Sequence, residues 1–230
     1  MTPDPLAALF AELGRLRFLT RFEIRLRQSG FRRIAGVDEA GRGSLAGPVV
    51  AAAVVLPADC VLPGLDDSKR LDAEARAVLD REIRRRALAL AVGCVPATEI
   101  DTRDILRASL EAMRVAVTAL DPAPEALLVD AVRVPGVGMP QFAVVHGDAL
   151  SASIAAASIV AKVHRDGLLD ALARMYPAYG FEQHKGYGTP EHWQALRLCG
   201  PCPEHRLTYH GVVPGTGEEP ITARPARRRG

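Results

Sequence analysis

One stretch limits what this chain can fold into more than any other. It runs Ile34-Ala-Gly-Val-Asp-Glu-Ala-Gly-Arg-Gly43 and continues Ser44-Leu-Ala-Gly-Pro-Val-Val50. An apolar run leads into two adjacent carboxylates, Asp38 and Glu39, and then into a glycine-flanked arginine, Gly41-Arg42-Gly43. Successive side chains of a strand point to opposite faces. Asp38 and Glu39 therefore reach one site only if the regular strand ends about there, and the glycines supply that freedom. The stretch predicts a strand that delivers acids to its end, followed by a loop whose backbone comes close to something anionic.

Around it the pattern alternates. Helical spacing of apolar residues predicts a helix over 4–29, closed by Gly30 in the position of a helix C-cap. Strands are expected over Ile34–Val37, Val49–Leu56, Ala87–Val95, Ala126–Val129 and Phe142–Val145. The nearly all-apolar Val49–Leu56 reads as a strand buried on both faces. Asp72 marks the start of a helix over 73–86, and Asp101 or Thr102 the cap of a helix in the run from Thr98. The most helix-like segment is Ser151–Met175, and a short helix follows around Pro190–Leu198. Three early strands and later crossover helices give an α/β fold, a mixed five-stranded sheet covered by helices.

With 230 residues, the chain is expected to form one domain with extensions. These are an N-terminal helical extension over 1–30, a main domain over 31–213, and a basic tail over 214–230 that lacks periodicity and is expected to be disordered. No apolar run approaches the roughly 18–20 residues of a membrane span. Arginines 15, 17, 21, 25 and 27 interrupt any hydrophobic leader. A soluble, cytoplasmic monomer is expected, with no membrane association. The net charge of +2 says nothing about nucleic acid, although both ends are arginine-rich.

The four cysteines do not suggest a disulfide framework. Cys60 and Cys94 read as small core or boundary residues. Cys199-Gly-Pro-Cys202 precedes His205 and His210, but zinc would need four ligands within a very short segment. The expectation is a loop whose cysteines pack.

Four acids stand where strands end: Asp38, Glu39, Asp130 and Asp148. In open α/β sheets, strand ends of this kind are where ligands bind. A lone acid in such a place is usually a turn residue or a helix cap, and Asp148 could cap the helix from Ser151. Four together need a counter-charge, because like charges raise one another's pKa. All-oxygen donors favour magnesium or manganese over zinc. Carboxylates with a hard cation point to phosphoryl transfer, with two divalent cations in the reaction. Phosphate contacts are sought in Lys69, in Lys185 and Tyr187 of a glycine-flanked loop, and in Ser158, Lys162 and Arg165. The last three share one helix face at spacings of four and three.

These motifs, with Asp67-Ser-Lys-Arg-Leu71, Val129-Asp130, Gly147-Asp148, Ile154–Asp166, His184-Lys-Gly-Tyr-Gly-Thr189, Gly200-Pro201 and His205-Arg206, occur in an order that resembles bacterial ribonuclease HII, the type 2 ribonucleases H. The resemblance covers roughly 20 to 212. It implies the ribonuclease H-like fold with a helical C-terminal part. It implies cleavage of the RNA strand of RNA–DNA hybrids and incision at ribonucleotides embedded in duplex DNA, as in ribonucleotide excision repair, leaving 5′-phosphate and 3′-hydroxyl ends. Asp38, Glu39, Asp130 and Asp148 match the family's metal-binding acids. Gly41, Arg42 and Gly43 match its ribonucleotide-sensing loop, and Tyr187 its sugar-stacking tyrosine. Lys69, Ser158, Lys162 and Arg165 match positions near phosphates.

Two departures carry expectations. Ser44 stands where the family usually has proline, which should loosen the turn. Ala131 stands where glycine usually follows the third acid, so an unstrained backbone there needs negative φ. The competing readings are another nuclease or resolvase of the same fold, and a catalytically silent hybrid-binding module. The Gly41–Gly43 loop with Tyr187 opposes the first, and the complete set of acids opposes the second.

Overall fold

A computed structural model describes residues 4–213; the expected disordered tail over 214–230 lies outside them. The sheet has five strands in the order β3-β2-β1-β4-β5: β1 Ile34–Ala40, β2 Val49–Val55, β3 Ala89–Val95, β4 Ala126–Asp130 and β5 Gln141–Val144. β1, β2 and β3 pair antiparallel, whereas β4 runs parallel to both β1 and β5. The mixed five-stranded α/β sheet is thus as the sequence predicts.

Small side chains set the thickness of the layers. β2 is fully buried, with Val49, Ala51, Ala53 and Val55 on one face and Val50, Ala52 and Val54 on the other. The first face packs on α5 (Ile105–Thr118), the second on α7 (Ala152–Met175) and α3 (Ala73–Arg86). Two strand glycines let these helices approach. A Cβ on Gly36 would lie 2.0 Å from the Ser153 backbone of α7, and one on Gly93 2.0 Å from the Ala112 carbonyl of α5. Either methyl would force a helix off the sheet.

The single helix expected over 4–29 is two, α1 (Pro5–Leu19) and α2 (Arg21–Gln28). The Thr20 hydroxyl turns back onto the carbonyls of Leu16 and Arg17, a local bond that competes with helix continuation. Leu16 and Leu19 are buried in the α7 face of the core. Glu23 of α2, also buried, accepts bonds from the Ser151 hydroxyl at 2.6 Å and the Ser153 amide at 2.9 Å, which seats α2 at the start of α7. The cap expected at Asp101 or Thr102 is instead Asp104, whose carboxylate accepts from the Arg107 amide to open α5, because α4 (Ala97–Arg103) ends just before it.

Ala131 has φ of 53°, in the left-handed region rather than the negative φ expected. An L-residue there is strained by about 1–2 kcal/mol, and the entropic cost of glycine, about 0.5–1 kcal/mol, only partly offsets its relief. Ala131→Gly is therefore expected to raise the thermal midpoint by about 2 °C, and a calorimetric scan showing a lower midpoint would contradict this.

Candidate active site

β1 does not end at Asp38 as expected. It continues to Ala40, with Asp38 opposite Ala52 and Glu39 opposite Ala51, so the two carboxylates leave opposite faces. They nevertheless line one cavity of about 250 Å³. The parallel pairing of β1 with β4 stops at Val37 and Val129. Beyond that rung β1 has an open edge, around which side chains from both faces reach. Asp130, the last residue of β4, lines the same cavity.

Asp148 is not at a strand end but in a one-turn helix, α6 (Gly147–Leu150), that follows β5. It does not cap α7, since Ser151 does so through the Ile154 amide. Asp148 is buried and joined to Lys69 Nζ at 2.9 Å. The Gly147 amide donates to Asp130 Oδ1 at 2.8 Å, so the turn that carries Asp148 is tied to the third acid.

Burial pushes the Asp38 carboxyl well above its ordinary value, and the Glu39 and Asp130 charges push it further. The Ser158 hydroxyl and the Glu39 amide, which donates to Asp38 Oδ1 at 2.8 Å, act in the opposite sense. Burial raises Glu39 against the pull of Arg42, whose Nη1 lies 3.2 Å from Glu39 Oε1. Burial also raises Asp130, against the Gly147 amide. Among the described residues no three His, Cys, Asp or Glu side chains converge on one point to hold an ion. Lys69, Arg42 and backbone amides engage them instead. The donor set fits a hard divalent cation even so: oxygen-only carboxylates, crowded and partly desolvated, whose ionised forms need positive charge.

The rest of the cavity wall is Ala40, Gly41, Arg42, Gly43, Ser68, Lys69, Ser158, Lys162 and Tyr187. Lys162 pairs with Asp166 at 2.7 Å, its ammonium 5.8 Å from the Tyr187 ring. Gly41 has φ of +94°, and a Cβ there would strike the Arg165 guanidinium. The corresponding space at Gly43 is open.

Two further expectations need correction. Arg165 does not face the cleft. It is fully buried, and its guanidinium donates to the carbonyls of Pro48, Ala46 and Lys185 and to the Ser44 hydroxyl. It shares a helix face with Lys162, but the Lys185–Tyr187 loop covers the helix at Arg165. Nor does Ser44 loosen its turn. Its buried hydroxyl accepts from Arg165 Nη2 at 2.6 Å and lies 3.1 Å from the Gly41 and Ala46 carbonyls, which bind the loop more closely.

The family model for ribonuclease HII matches residues 35–212. The chain belongs to the ribonuclease HII family. A ribonuclease HII from Geobacillus kaustophilus is 58% identical over 194 residues, 84% of this chain and 74% of that protein. One from Syntrophomonas wolfei is 48% identical over 204 residues, 89% and 80% of the two chains. The crystal structure of ribonuclease H2 from Pyrococcus horikoshii, 27% identical, superposes with a TM-score of 0.68 over 78% of this chain and 95% of that one. The ribonuclease HII family consists of ribonuclease H hydrolases that act as metal-dependent endonucleases, which agrees with the acid cluster. No helix of the described residues is long and apolar enough to cross a membrane.

A buried histidine pair that no sequence pattern marks as a unit lies behind Tyr187. His192 and His205 meet through their Nε2 atoms at 3.0 Å, and His192 Nδ1 lies 2.9 Å from the Tyr187 carbonyl. Burial depresses both to about 4. The unfolded chain takes up protons near the ordinary value of 6.5 while the fold holds them off. Stability is therefore full above pH 6.5 and falls as pH drops toward 4, by about 1.4 kcal/mol for each tenfold difference in proton affinity between fold and unfolded chain. The raised carboxyls act in the opposite sense. The denaturant midpoint is expected to fall between pH 7 and pH 5, with a shallower slope in His205→Gln; equal slopes in the two proteins would refute the assignment.

Proposed function

We propose that the chain is an endonuclease that cleaves the RNA strand of RNA–DNA hybrids and incises 5′ of ribonucleotides embedded in duplex DNA, leaving 5′-phosphate and 3′-hydroxyl ends. The observation that carries the reading is one cleft lined by two unlike sets of residues. Asp38, Glu39 and Asp130 are the first, with Asp148 joined to them through Lys69. The Gly41–Gly43 loop and Tyr187 are the second.

Asp38, Glu39, Asp130 and Asp148 would hold the divalent cations, Mn²⁺ or Mg²⁺. Bound there, such ions make a water nucleophilic at neutral pH and neutralise charge on the leaving oxygen. The chain's own residues choose the phosphodiester. Only the 2′-hydroxyl separates RNA from DNA at a given nucleotide. The space left open at Gly43 lets a sugar approach the loop backbone. Tyr187, partly exposed, offers a ring on which a deoxyribose stacks and which a second 2′-hydroxyl would crowd. Lys69 and Lys162 present compact charges to the phosphate backbone. Ser158 orients the Asp38 carboxylate, and Arg42 that of Glu39.

The test uses three duplexes: one with a single embedded ribonucleotide, a continuous hybrid and all-DNA, each with a metal series. Cutting is expected at ribonucleotides only and only with divalent metal; equal cutting of the all-DNA duplex would overturn the reading. Tyr187→Ala is expected to slow incision at the single ribonucleotide about tenfold, from the loss of one stacking contact. An unchanged rate would remove its assigned role.

A further inference from the structure

The Gly41–Gly43 loop and Tyr187 come from opposite ends of the chain, yet one short segment behind the cleft holds both. Arg206 is fully buried, and among the described residues its guanidinium has no carboxylate partner. All of its bonds go to oxygens around the loop. Nη2 donates to the Gly41 carbonyl at 2.7 Å and the Gly47 carbonyl at 2.9 Å. Nη1 donates to the Arg42 carbonyl at 2.8 Å and to the Tyr209 hydroxyl at 2.9 Å. That hydroxyl donates in turn to the Arg42 carbonyl at 2.6 Å. A fork of five fixed donors suits such a task in a way that an ammonium does not.

The adjacent residue, His205, reaches the other way. The Tyr187 carbonyl can only accept, so His192 Nδ1 carries the proton. Neutral His192 then accepts at Nε2, which makes His205 the donor there. His205 Nδ1 is left bare and accepts from the Cys202 amide at 3.0 Å, with the Cys202 thiol at 3.1 Å. The hydrogen bonds from Cys202 to Tyr187 thus all run in one direction. The backbone joins the two arms. His205 bridges to Ala46, the Arg206 amide donates to the Leu45 carbonyl, and the Leu45 amide donates to the Gly186 carbonyl.

We propose that His205-Arg206 sets the separation between the Gly41–Gly43 loop and Tyr187 and is thereby a specificity-determining pair for the RNA–DNA junction. The inference rests on the proposed function. Both residues are positioning residues: neither lines the cleft, and each acts through a group that does. A displacement of about 1 Å in such a site costs on the order of 10²-fold in rate. The junction substrate must satisfy the loop and the tyrosine together. In a continuous hybrid the sugar next to the cleaved one carries its own 2′-hydroxyl, so tyrosine stacking on a deoxyribose is not in play. Loosening the pair therefore harms the first substrate more.

The experiment compares wild type, Arg206→Lys, His205→Gln and Tyr209→Phe on a single-ribonucleotide duplex and a continuous RNA–DNA hybrid, with thermal midpoints alongside. Tyr209→Phe removes one partly exposed hydroxyl and serves if the buried substitutions do not fold. For Arg206→Lys and His205→Gln, kcat on the single-ribonucleotide duplex is expected to fall about tenfold more than on the hybrid. KM is expected to stay within about threefold, and Tyr209→Phe to show a smaller shift of the same sign. Equal losses on both substrates, scaling with the drop in midpoint, would make the segment a stability element and overturn the proposal. If wild-type protein fails to prefer ribonucleotides over DNA, the proposed function falls instead, and the two failures are told apart.

Discussion

Asp38→Asn is expected to abolish cleavage, lowering the rate by on the order of 10³-fold, while hybrid binding stays within a few-fold of wild type. The loss follows from several kcal/mol of charge stabilisation at about 1.4 kcal/mol per tenfold in rate. The same substitution is expected to make the metal-free protein more stable. The Asp38 carboxyl sits well above its ordinary value because burial and the Glu39 charge disfavour its ionised form. The fold therefore binds more protons than the unfolded chain over that window, and stability drops as pH rises through it. A neutral amide carries no such penalty at any pH. Thermal scans should show the variant melting above wild type without metal, by a margin that widens as pH rises. Divalent metal should raise the wild-type midpoint and barely move that of the variant. A variant that melts lower in metal-free buffer, or one that still cleaves, would contradict the assignment.

Arg165→Leu is expected to lower the thermal midpoint by about 6–12 °C, with two opposing effects to weigh. Burial depresses the Arg165 guanidinium to about 10, so leucine relieves a desolvation cost on the order of 3 kcal/mol. It also strands the carbonyls of Pro48, Ala46 and Lys185 and the Ser44 hydroxyl. Each loses a buried partner at about 1–3 kcal/mol, so the stranded acceptors win by a few kcal/mol. A midpoint equal to or above wild type would show that the loop repacks without the guanidinium.

The sequence made some of this legible. Asp38, Glu39 and Asp130 were visible because apolar runs end in acids, a pattern that survives without any knowledge of neighbours. The mixed sheet followed from strand types and from the helices between them. What escaped was decided by contacts distant in sequence. Helical spacing puts Lys162 and Arg165 on one face, but says nothing of the Lys185–Tyr187 loop that covers the helix at Arg165. His205 and Arg206 were visible as a motif, yet their partners lie at Tyr187 and at Gly41–Gly47. The open edge of β1, which lets Asp38 and Glu39 share a cavity, depends on where β4 stops pairing. Cys94, expected in the core or at its boundary, is exposed on β3; of the two cysteines expected to pack in a loop, Cys202 packs against His205, whereas Cys199 is exposed at the end of the helix Pro190–Cys199.

The long helix α7 has a consequence for how this chain tolerates change. Its contacts are spaced along a single rod about 36 Å long: Ser153 against Glu23, Ser158 at Asp38, Arg165 beneath the loop, and Asp170 with the Lys185 ammonium. Each extra residue in an α-helix turns everything after it by about 100° and advances it about 1.5 Å. One residue inserted between Ser153 and Ser158 would leave the N-terminal helices seated and swing every later contact off its partner. The acid, the loop and the Lys185 turn are thus registered to one another by residue count, and this segment should accept substitutions far more readily than any change of length.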